Sequence, residues 1–139
     1  MNNKLWIYAS IAVFIGFGLL EFIVNGILLQ DIYQKYASVW RSESEMQSMM
    51  GLMWLGYAIF AVFFTFIYTK GYEPKKPGLE QGLRFGLYVG LAFAPLQSLI
   101  WYVVLPIPGT LAFYWFLAGM VEFTAVGALA GLIYKKSKK

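Results

Sequence analysis

The sequence predicts an all-α protein, an integral membrane bundle of four helices with both termini in the cytoplasm. Three observations carry this reading. The chain of 139 residues is 60% hydrophobic and only 13% charged, about half the charged fraction of an ordinary soluble domain. The apolar residues fall into four blocks, each able to cross a ~30 Å hydrocarbon core at ~1.5 Å per residue. Lysine and arginine are spread unequally between the two sets of connections. The length is that of one transmembrane domain spanning 1–139.

The first helix is expected over 5–30. Leu5 to Leu29 is apolar except for Ser10, Glu21 and Asn25. A cleaved signal peptide would have a shorter apolar region ending in small residues, whereas this run ends in Gln30-Asp31-Ile32-Tyr33. Asp31 to Met49 mixes polar residues with Tyr33, Tyr36, Val39 and Trp40, the pattern of a segment lying at a membrane surface. Ser42-x-x-Glu45 is a capping box, which starts a second helix predicted over 43–70.

Gly71 to Gly78 is a turn-rich basic loop. The third helix, predicted over 80–105, contains Pro95, where a kink is expected because proline lacks the backbone donor. Pro106-Ile107-Pro108 makes a tight turn, and Gly109 or Thr110 is expected to cap a fourth helix over 110–134. With this topology Lys4, Lys70, Lys75, Lys76, Arg84, Lys135, Lys136, Lys138 and Lys139 share one side, and Lys35 and Arg41 the other. The excess marks the cytoplasmic face of a plasma-membrane protein. The lysine pair at 75–76 and the terminal lysines read as contacts to lipid headgroups rather than to nucleic acid.

Gly82, Gly86, Gly90 and Ala94 recur every four residues, and Gly127 and Gly131 repeat the spacing on the fourth helix. Small residues so placed let helix backbones approach closely in lipid, within one chain or between copies. The stretch Glu21 to Lys35 also aligns without gaps on Glu122 to Lys136, with seven of fifteen positions identical. An inverted repeat would produce such an echo. The small alphabet of membrane helices also produces it, and the match is read as chance.

Chemistry is bounded by what is missing. With no Cys and no His, disulfides, thiolate or imidazole metal sites, His-ligated haem and imidazole-activated nucleophiles are excluded. No metal, cofactor or catalytic residue is expected, and the chain is not read as an enzyme. What stands out is two acids in apolar runs, Glu21 and Glu122, where a carboxylate is costly without a partner or a function. Counting residues places Glu21 ~24 Å and Glu122 ~18 Å from the cytoplasmic end of their helices, with Gln97 and Ser98 at ~21 Å and Tyr57 and Trp54 between ~18 and ~22 Å. Asn25 lies one turn beyond Glu21, Trp101 one turn beyond Gln97, and Trp115 two turns before Glu122. Gln97 and Ser98 are expected to face the interior with the glycine stripe.

Glu21, Glu122, Asn25, Tyr57, Gln97, Ser98 and Trp101 therefore form a candidate ion- or substrate-binding layer, with Tyr102 and Trp115 on its outer side. No Lys or Arg is expected deep enough to pair with the acids. Two buried carboxyl groups at one depth cannot both ionise comfortably, and such a pair can trade a proton for a cation against aromatic walls. The expectation is a small proton- or cation-coupled transporter, working in the lipid bilayer as a homo-oligomer. The alternatives are a static polar network that fixes helix register and a non-catalytic accessory subunit of a larger membrane complex.

The residues Asn25-Gly26-x-Leu28-Leu29, Val39-Trp40-Arg41, Met46, Lys70-Gly71-Tyr72-Glu73, Gly82-Leu83-Arg84-Phe85-Gly86-Leu87 and Pro106-Ile107-Pro108 resemble small uncharacterised four-helix membrane proteins of bacteria. The resemblance implies the fold and transfers no site. The chain is also similar in outline to small multidrug transporters, which have four helices and a key glutamate in the first. It departs from them in its greater length, in the late position of Glu21, and in the second acid Glu122.

Overall fold

The computed structural model describes residues 1–135, and among them the structure is helical, with no strand. α1 (Asn3–Glu21) runs into a wider π-helical segment (Phe22–Leu28). α2 (Gln30–Lys35), a 3-10 turn (Ala37–Val39) and α3 (Glu43–Ser48) form the first connection. α4 (Met50–Lys70), α5 (Gly78–Val104) and α6 (Gly109–Ile133) follow. Asn3–Leu28, α4, α5 and α6 are each long and apolar enough to cross a membrane. Their outer surfaces carry Ile7, Ile11 and Ile15 on α1 and Leu99 and Val103 on α5, all exposed, as suits helices that meet lipid rather than water.

The long helices run alternately up and down. The backbone amide of Asn2 donates to the Tyr134 hydroxyl at 3.0 Å, so the start of α1 and the end of α6 meet at one end of the bundle. α1 packs on both α4 and α6, and α5 on α6. The α5–α6 seam is backbone against backbone. A methyl group added at Gly82 would strike the Gly127 carbonyl oxygen, one at Gly86 that of Phe123, and one at Gly78 that of Gly131. In return, a methyl group at Gly127 would sit 2.7 Å from the Gly86 Cα. Gly90 continues the seam against Met120, and Ala94 meets Gly119. Hence Gly78, Gly82, Gly86, Gly90 and Ala94 are all buried.

α1 and α4 are joined by side chains instead. Ser10 and Thr65 share a buried hydrogen bond of 2.7 Å, and Thr65 also donates to the Ala61 carbonyl. Phe17 stacks on Tyr57 and Phe60, and Phe14 on Trp54. α4 reaches α5 through Phe64 and Tyr68, which pack on Phe85 near the end where α1 starts and α6 stops. That end is a filled core around Val13, Phe64, Val126, Ala130 and Tyr134. At the opposite end Leu29, Ile107 and Leu111 form a smaller core with Tyr33, Trp40 and Trp115 around it.

Several boundaries depart from the expected ones. The helix predicted over 5–30 changes to the wider π spacing after Glu21, with the Leu29 amide bonding the Val24 carbonyl at 2.9 Å. The surface segment contains two short helices, and the one predicted over 43–70 is interrupted at Met49, so the Ser42–Glu45 capping box starts α3 rather than α4. α5 begins at Gly78, with Pro95 inside it, and ends at Val104. Neither Gly109 nor Thr110 caps α6; Pro108 holds that position with no side-chain hydrogen bond, since it has none to offer. Gly26 and Gly127, matched in the echo, are used differently: Gly26 faces its own Phe22, while Gly127 packs on α5. Lys135 is exposed; Lys136, Lys138 and Lys139 lie outside the described residues.

Candidate functional site

Between the two ends lies a cavity of about 560 Å³, the size of a small-molecule site. Glu21 and Glu122 both line it, so the two acids of the apolar runs face one space. Asn25, Tyr57, Gln97, Ser98 and Trp101 line it as well. All four long helices contribute, as the residue counts along each helix imply. α5 does so because Ala94 and Ser98 continue its glycine seam, putting Ser98 on the buried side at 4% exposure.

Glu21 sits where α1 gives way to the π segment. Its Oε2 accepts from the Asn25 amide at 2.6 Å and, at the long distance of 3.5 Å, from the Tyr57 hydroxyl. Asn25 in turn accepts from the Tyr33 hydroxyl, which accepts from the Trp115 indole at 2.7 Å. A chain of hydrogen bonds thus leads from the carboxylate to the aromatic cluster at the loop end. Tyr33 stands beyond the apolar span, and burial pushes its phenol above the ordinary range, so it remains a neutral donor. The π turn places this chain, and such widened turns recur at functional sites.

Glu122 is only 5% exposed. Its carboxyl group interacts with that of Glu21, yet its Oε1 is buried with no hydrogen-bond partner. Neither acid is in an ion pair; among the described residues the salt bridges join Glu73 to Lys76 and to Arg84 in the loop before α5. The result is two adjacent carboxyl groups in an apolar shell, with one acceptor unused.

Some residues are placed otherwise than expected. Gln97 lines the cavity but is exposed, and its side chain has no hydrogen-bond partner among the described residues. Trp101 is likewise an exposed lining residue. Tyr102 turns away into a second, shallow groove beside Pro95 and Phe113. Trp54 packs on α1, where a methyl group at Gly18 would meet its ring at 3.1 Å.

No Lys or Arg pairs with either acid among the described residues, as expected, but Arg41 lines their cavity. Residue counting along the helices could not find it, because it comes from the first connection. Trp40, beside it, is anchored by its indole donating to the Tyr33 carbonyl at 3.2 Å and by ring contacts with Tyr33 and Trp115. The sequence signal was available in Val39-Trp40-Arg41, an apolar pair leading into a cation.

Among the described residues no cluster of acids, Cys and His could hold a metal ion. Compared with known proteins, the chain matches no protein-family model, no curated protein and no solved structure.

Proposed function

We propose that this is a small multi-pass carrier of the plasma membrane, with both termini cytoplasmic, that couples the movement of a cation to that of a proton through Glu21 and Glu122. The observation that carries this reading is the shared cavity in which two carboxyl groups meet without a basic partner. Such a pair can hold one proton between its members and release it when a cation takes its place. The aromatic groups Tyr57, Trp101 and Trp115 on the walls favour an organic cation, whose charge is attracted to ring faces. The seam glycines are spent on α5–α6 contact within the chain, so any association of copies would use the exposed faces.

The experiment is flux in proteoliposomes under an imposed pH gradient. Glu21→Gln and Glu122→Gln are expected to abolish proton-coupled cation uptake while the purified variants keep the wild-type helical spectrum. Normal uptake by both variants, or no uptake by the wild type for a panel of organic cations, would end the carrier reading.

A further inference from the structure

The cavity has a second pole. Arg41 brings a guanidinium, whose planar fork suits carboxylate and phosphate groups. Among the described residues no carboxylate pairs with it. The closest acids in sequence form no ion pair with it: the Glu45 carboxylate accepts from the Ser42 hydroxyl at 2.9 Å and the Ser42 amide at 3.1 Å and feels the Arg41 charge only as its weakest influence, and Glu43 is exposed. The backbone at Arg41 is positioned by its two neighbours. Trp40 before it is pinned to Tyr33, and Ser42 after it opens the capping box of α3. An exposed guanidinium in no ion pair at one part of the cavity thus faces the same space as a buried carboxyl oxygen with no donor at another.

A simple cation would satisfy only the acidic pole. We propose that the ligand is a zwitterion: an ammonium group seated at Glu21 and Glu122, joined to an anionic group seated at Arg41. The ammonium end rests on the carrier reading; the anionic end is new. The exposed lining residues Gln97, Trp101 and Arg41 mark the mouth. Two of them are on α5 near its loop end, where α4 is exposed from Met50 to Leu55. An opening there faces lipid as well as the loop-side solution, so the zwitterion is either a phospholipid headgroup or a free soluble molecule.

The test is binding to protein in phosphatidylglycerol nanodiscs, read by calorimetry, with two matched pairs of probes: choline against glycerophosphocholine, and ethanolamine against glycerophosphoethanolamine. The zwitterion of at least one pair is expected to bind about tenfold tighter than its cation, the worth of one charge-assisted hydrogen bond pair. Arg41→Gln should erase that preference while changing the cation's Kd less than twofold. Equal binding within both pairs, or a preference that survives Arg41→Gln, overturns the proposal.

The carrier reading is tested apart from it, by whether Glu122→Gln weakens the bare cations. If it does while Arg41→Gln changes nothing, the anionic pole alone falls. If the wild type binds none of the four probes, both fall. Doping the nanodiscs with phosphatidylcholine or phosphatidylethanolamine separates the sources: competition with the soluble probe assigns the lipid headgroup, and no competition assigns the free molecule.

Discussion

At the scale of single residues, the bundle is most sensitive where there is no side chain at all. Gly82→Ala places a methyl group against the Gly127 carbonyl, which as backbone cannot step aside. It is expected to cost about 1–3 kcal/mol as an overpacked contact. Gly51→Ala and Gly56→Ala, with nothing within 4 Å of the added carbon, should instead be neutral or gain up to about 1 kcal/mol from helix propensity. Equilibrium unfolding in mixed micelles measures all three, and equal effects at the three positions would contradict the seam. Tyr33→Phe removes one oxygen that serves two groups, leaving the Asn25 carbonyl and the Trp115 indole without it. The expected cost is about 1–3 kcal/mol by the same assay, together with faster amide exchange in α2.

At the scale of elements, the connections carry as much design as the spans. The loop before α5 is ordered by Gln81, which accepts from the Glu73 amide at 2.8 Å and donates to the Glu73 and Lys76 carbonyls at 2.9 Å. The hydrogen bond from Lys76, helped by its charge and that of Arg84, holds the exposed Glu73 carboxyl below its ordinary value of 4.5. A group lowered in the folded state stabilises above its unfolded value and loses that contribution as pH falls through the folded one. Amide protection over 73–81, corrected for intrinsic exchange, should therefore drop below about pH 4, where carboxylates titrate. Glu73→Gln should remove that pH dependence; an unchanged profile would show that the ion pair does not order the loop.

At the scale of the whole molecule, the topology is directly testable, because a chain without cysteine accepts single reporters. Lys4→Cys and Lys75→Cys are expected to react with an impermeant maleimide from one side of a sealed vesicle, and Ser38→Cys from the other. Labelling of all three from one side would exclude the single crossing expected between each neighbouring pair of reporters.

Most of the fold was legible in the sequence, because apolar block length and the four-residue glycine spacing are local signals. So was the common level of Glu21, Tyr57, Ser98 and Glu122, since helical rise converts residue number directly into height. The break at Met49 and the π turn after Glu21 were not, because they depend on how neighbouring elements pack rather than on composition. Arg41 was missed for the same reason. A loop residue has no height to count, and only the fold-back pinned by Trp40 brings it over the acids.

The glycine seam also has a mechanical meaning. From Gly78 to Gly86, α5 meets α6 main chain to main chain, with few rotatable atoms between them. α1 and α4 meet through rings and hydroxyls that can rotate, and α4 reaches α5 through Phe64 and Tyr68, near the start of α5. Any change of shape that opens the chamber first to one side and then to the other falls on the compliant half. If the carrier reading holds, the glycine contacts leave α1 and α4 as the helices expected to move.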